Sequence, residues 1–195
     1  MKKRIGLVIF TVSLIGILAV ILVNNISADS QLSRNVALDL DQDGRNEEIA
    51  LSTTDDGKDS ISISKSFFSR RTAELSGFED DIRFCEEPLY DFSGVAYLCL
   101  IGEVGAHSQN IQFLRYQKDK IAFLAFKSDG LVATNITSDV PQFIIDRNEE
   151  SLFVDNRNYE LNPVVNAVRA KYNFENEMFT FFGFTDIIND GTVKN

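Results

Sequence analysis

From Val36 to Phe184 the apolar residues come in short runs, and turn-forming residues recur between them. The runs are Val36–Leu40, Glu48–Ser52, Ser60–Phe68, Ile82–Cys85, Val95–Ile101, Ile111–Tyr116, Ile121–Phe126, Phe143–Ile145, Leu152–Val154, Val164–Phe174 and Glu177–Phe184. Asp55-Asp-Gly57, Asp91-Phe-Ser-Gly94, Gly102 with Gly105, Lys118-Asp-Lys120, Ser128-Asp-Gly130 and Glu175-Asn176 punctuate them. Ser60-Ile-Ser-Ile-Ser64 alternates strictly, which gives a strand one dry face and one wet face. Short, closely spaced runs rich in Phe, Ile and Val predict a mainly β protein, a single antiparallel β domain with propeller-blade-like or sandwich-like sheets over residues 35–184. Pro163–Ala170 fits a helix, with Pro163 at its first position, as well as a strand. In Glu177–Phe184 the alternation sets Phe179 and Phe181 on one face and Phe182 and Phe184 on the other, so both faces are expected to be covered. The polar stretch Thr185–Asn195 reads as a flexible tail.

The start of the chain has a different character. Lys2, Lys3 and Arg4 precede Ile5–Val23, which carries no charge and is followed by a polar stretch from Asn24. A retained membrane anchor and a cleaved export signal both fit residues 1–28, because the run reaches the length of a span and Ile26-x-Ala28 resembles a cleavage site. Either way the basic flank stays in the cytoplasm and residues beyond a linker at 29–34 lie outside, at the cell membrane or secreted. From Asp29 onward 16 basic residues face 29 acidic ones, a net −13. That balance excludes nucleic acid as a partner, since phosphate binding requires a clustered positive surface. A protein or glycan partner at the cell surface fits better.

Outside the cytoplasm, two cysteines read as one disulfide. Cys85 and Cys99 flank the turn at Asp91–Gly94 and would face each other across an antiparallel hairpin. Two buried free thiols are the competing reading.

The segment Asp39-Leu-Asp41-Gln-Asp43-Gly44-Arg45-Asn46-Glu47-Glu48 carries the chemistry. Carboxylates at alternate positions repel in a plain strand, but in a tight loop their oxygens converge on one point, where a hard cation belongs. Gly44 permits the sharp turn, the Arg45 carbonyl is a further donor, and Glu47 closes the shell. Six to eight flexible oxygen ligands suit Ca2+, and an all-oxygen set disfavours soft or imidazole-seeking metals. An acidic, solvated turn without an ion is the bland alternative.

An EF-hand would need Glu at the twelfth position, which is Ala50, and helical flanks in place of the extended ones expected here. The loop instead resembles the D-x-D-x-D-G-x-x-[DE] calcium loops between strands of FG-GAP (integrin-α-type) repeats and their small bacterial extracytoplasmic relatives, over about residues 36–51. The resemblance implies a ligand set of Asp39, Asp41, Asp43, the Arg45 carbonyl and Glu47, and a calcium-stabilised β domain. Gly102-Glu-Val-Gly-Ala-His-Ser108 is similar to a second unit of such proteins, and Arg45-Asn-Glu-Glu48 recurs as Arg147-Asn-Glu-Glu150 without the aspartates.

Catalysis finds few usual groups. His107 and Ser108 are adjacent, so on an extended chain they point to opposite faces. The leading expectation is a non-catalytic binding or scaffolding domain. A carboxylate-based hydrolase or an enzyme inhibitor is the alternative.

Overall fold

Alternating strands need partners, and this chain supplies them in sequence order. The computed structural model describes residues 34–54, 56–66, 69–140, 142–157 and 166–189, so the apolar run 5–23 and the first part of the linker lie outside it. No helix among the described residues is long and apolar enough to cross a membrane.

β1 (Asn35–Leu38), β2 (Glu47–Thr53), β3 (Asp59–Ser64) and β4 (Arg70–Glu74) form a first antiparallel meander. β5 (Asp80–Phe92), β6 (Val95–Val104), β7 (Ser108–Gln117) and β8 (Lys120–Phe123) form a second. The chain then runs through β9 (Ala125–Ser128), β10 (Leu131–Ala133) and β11 (Ile136–Ser138). β12 (Phe143–Asp146), β13 (Ser151–Arg157), β14 (Asn166–Glu175) and β15 (Met178–Asn189) complete a third meander. β11 joins the second sheet beside β7, while β9 and β10 extend the third, β9 pairing in parallel with β15. The domain is therefore mainly β and antiparallel, with one parallel pair among the described residues. Residues 166–170 are strand, and β15 takes in Thr185–Asn189.

Four hairpins turn on two residues that both have positive φ: Ser93-Gly94, Lys118-Asp119, Asp129-Gly130 and Asn176-Glu177. Such turns match the right-handed twist of the strands they join. Asn, Asp and Gly accept this backbone at little cost, which is why these places were readable as turns.

The second sheet is the middle layer. In β6, Tyr97 and Cys99 face one core with Phe113, Phe126, Val154 and Phe179, whereas Leu98 and Leu100 face another with Ile49, Ile61, Ile63 and Leu114. Period-2 alternation thus sends neighbouring apolar residues into separate cores. β6 reads as a continuous apolar run because both its faces are dry. In the first sheet the outward positions Glu48 and Ser52 of β2 are exposed, but Ser60 and Ser62 of β3 are buried, with hydrogen bonds to Ser52 and Arg70, so the wet face expected of β3 is covered there.

The last strand departs from the expectation of two covered faces. Phe179 is buried and Phe181 packs against the same core, but Phe182 is 70% and Phe184 68% exposed. Register shifts between Arg169 and Ala170 and between Lys171 and Tyr172 break the alternation. The Phe184 ring meets the Phe181 ring edge-to-face, their centroids 5.3 Å apart.

An irregularity of the same kind brings the cysteines together. Leu89 pairs with Leu98, a register that would set Pro88 opposite Cys99. Extra residues in β5 restore pairing at Phe84 and Leu100, and Cys85 takes that place instead. The two Cα atoms are 5.5 Å apart and the sulfurs 1.98 Å, a disulfide spacing.

Candidate metal centre

The acidic segment is the connection of an edge hairpin. Leu38 pairs with Glu47, so residues 39–46 must reverse the chain between two strands, not between helices. Leu40, 1% exposed, is driven into the core and pins the loop's base. That inward residue leaves Asp39 and Asp41 half-buried on either side of it. Gln42 and Gly44 take positive φ and fold the tip back, which at Gly44 (φ +85°) a side chain would strain.

The aspartates organise the turn through its own amides. Asp39 Oδ1 accepts from the Asp43 N–H at 3.0 Å and its Oδ2 from the Gly44 N–H at 2.9 Å. Asp43 Oδ1 accepts from the Arg45 N–H at 3.0 Å. Asp39, Asp41 and Asp43 each offer an oxygen, and these lie within 4.8 Å of one another. The Gln42 amide reaches Asp91 of β5 at 3.3 Å, so the tip also touches the middle sheet.

Glu47 borders that trio without being one of the three groups whose oxygens converge. It is completely buried, its Oε2 accepts from the Leu40 N–H at 2.7 Å, and its Oε1 has no hydrogen-bond partner. Asp41 Oδ1 is likewise buried and unpartnered. Burial pushes the Glu47 carboxyl above the usual glutamate range, and the neighbouring Asp41 adds to this. Arg45 is exposed, and only its carbonyl was expected to contribute.

Sequence reasoning missed the loop's cation. Lys65, just past β3, places its ammonium against Asp41 and, at 2.6 Å, against Asp43. These contacts, Asp41 first, raise the Lys65 pKa, and the contact with Lys65 holds Asp43 below the usual aspartate range. Glu48 pairs with Ser64, so the register of β2 and β3 brings Lys65 to the rung of Glu47, and only that register does so.

The second Arg-Asn-Glu-Glu lies at a comparable place, the β12–β13 turn, but its groups are engaged differently. Asp146 Oδ1 accepts from the amides of Asn148 and Glu149, Arg147 lies over the Tyr90 ring at 4.7 Å, and Glu149 pairs with Lys171 at 2.6 Å. His107 lies in an exposed turn, and the Ser108 hydroxyl donates to Asp139 at 3.4 Å. Both residues line a hollow of about 240 Å³ with Arg157. Among the described residues no hydrogen bond joins the His107 imidazole to Ser108.

Comparison of the chain with family models, curated proteins and solved structures finds no match.

Proposed function

We propose that this chain is a non-catalytic extracytoplasmic β domain, tethered or exported by residues 5–23, that holds one structural Ca2+ in the 39–47 loop and serves binding or scaffolding at the cell surface. The observation that carries the reading is the convergence of three aspartate oxygens beside a buried glutamate whose second oxygen is unpartnered. A buried acceptor left without a partner costs about 1–3 kcal/mol, and a cation bound beside it would remove that cost. The donors are all oxygen, the choice of a hard cation. Asp39, Asp41, Asp43, the Arg45 carbonyl and Glu47 would hold it, as in the FG-GAP loops that the segment resembles. Calcium would supply charge neutralisation and cross-linking between the β1–β2 connection and the base of β2.

Two observations bear on the binding role. Phe182 and Phe184 stand exposed on the last sheet, where a partner could cover them. The carboxyl group raised above its usual range, Glu47, is sealed in the fold and not set in a substrate cleft.

Thermal melts of the full chain test the calcium reading. Calcium at millimolar concentration should raise the midpoint by an amount that grows with concentration, and Asp41→Ala should melt identically with calcium and with chelator. Coincident wild-type melts in calcium and chelator would reject it.

A further inference from the structure

We infer that Lys65 is a tethered counter-ion that a divalent cation must displace, so that the chain itself sets how much calcium the loop requires. The inference rests on the calcium reading and concerns the regulation of that same site.

The ammonium of Lys65 reaches Asp41 and Asp43, two of the three carboxylates whose oxygens converge. It brings one positive charge and three donors to a region holding four acidic side chains. Asp41 Oδ1 and Glu47 Oε1 stay unpartnered, so its compensation is incomplete. Glu47 is wholly buried, and its Oε2 accepts from the N–H of Leu40, the residue between Asp39 and Asp41, so it borders the same cluster. A doubly charged ion that takes six to eight oxygens could use the acceptors that Lys65 leaves. The two cations cannot share the pocket, because like charges a few ångströms apart repel strongly where water is partly excluded.

The displaced side chain has somewhere to go. Lys65 begins the β3–β4 connection, where its N–H donates to the Ser69 carbonyl at 3.2 Å. It also lines a hollow of about 550 Å³ with Asn46, Glu48, Ser64, Ser66 and Arg70. Glu48 is exposed and pairs with Ser64, the residue next to Lys65, so a second carboxylate stands within reach of the released ammonium. Calcium binding then breaks the side-chain contact between the 39–46 loop and the β3–β4 connection, while the backbone pairing of Glu48 with Ser64 stays in place.

Calorimetric titration of the full 195-residue chain with calcium chloride tests this. Lys65→Met keeps the apolar stem and removes the charge, and it should bind roughly tenfold tighter than wild type. Lys65→Arg keeps the charge and should stay near the wild-type affinity. On the unaltered chain, acetylation of the Lys65 amine followed by mass spectrometry should rise severalfold when calcium is added. Equal affinities for wild type and Lys65→Met, or labelling unchanged by bound calcium, would overturn the displacement and leave the calcium reading intact. No heat from either chain would remove both.

Discussion

At the scale of single residues, Glu47 is a group that the first sheet buries at a cost. Its carboxyl is wholly buried, one oxygen is satisfied by the Leu40 N–H, and the other faces no donor. Burial raises its pKa in the folded protein. A group whose folded pKa lies above the unfolded one adds stability below the unfolded pKa and loses it as the pH climbs through the folded one. The calcium-free domain should therefore be less stable at pH 7 than this strand's packing would allow. Glu47→Gln retains an acceptor for Leu40 and carries no charge. In chelator at pH 7 it should stabilise the chain by roughly 1 kcal/mol, the low end of the cost of an unpaired buried acceptor. The gain should fade towards pH 4, where wild-type Glu47 takes up a proton, and it should reverse in saturating calcium, where the amide is the poorer ligand. Urea melts at the two pH values, with and without calcium, read this directly. A variant less stable than wild type in chelator at pH 7 would sink the argument.

At the scale of elements, the hairpin of β5 and β6 shows how an irregularity can be a device. A regular ladder would have placed Pro88 against Cys99, and the extra residues of β5 deliver Cys85 instead. The bridge spans a sequence separation of 14, so closing that loop should contribute about 3 kcal/mol by the loop-entropy model. Cys85→Ser with Cys99→Ser should lower the unfolding free energy by that order in denaturant melts. Non-reducing peptide mapping should find the two residues joined, and ready thiol labelling of the native protein would contradict it. The hairpin was legible because turn residues lie between two apolar runs, and the same logic located the other two-residue turns, but the extra residues that bring Cys85 opposite Cys99 left no such signal. Strict alternation likewise revealed β3. Other elements left no such trace. β4, Arg-Arg-Thr-Ala-Glu, is a largely exposed edge strand and needs no apolar pattern. The parallel pairing of β9 with β15 joins segments about fifty residues apart in sequence, beyond any local signal. In the acidic loop the convergence of Asp39, Asp41 and Asp43 followed from their spacing. Glu47's place below the trio and the arrival of Lys65 did not, since both depend on which strands pair and which side chains the core draws in.

At the scale of the whole molecule, the middle sheet decides how the domain unfolds. Its two faces belong to separate apolar clusters: Leu98, Leu100 and Tyr116 look towards the first sheet, and Tyr97, Phe92 and Phe113 towards the last. A molecule of two cores could melt in two steps. Here each core takes half its wall from the same ladder of β5, β6 and β7, and in β6 the two halves alternate residue by residue. Losing either outer sheet would expose the aromatic or aliphatic side of strands that still had to keep their register, and a half-stripped sheet with one apolar face in water has little to hold it. The two cores should therefore fail together. Leu98→Ala removes a buried side chain on one face and should cost about 2–5 kcal/mol; Phe113→Ala removes one on the other and should cost about 3–5 kcal/mol. Each should shift a single calorimetric transition whose van't Hoff and measured enthalpies agree, although the two sites lie on opposite faces of the sheet. A thermogram in which Leu98→Ala splits off an early peak that Phe113→Ala leaves in place would show instead that the first meander melts on its own, with its acidic loop and Lys65, while the other two sheets remain folded.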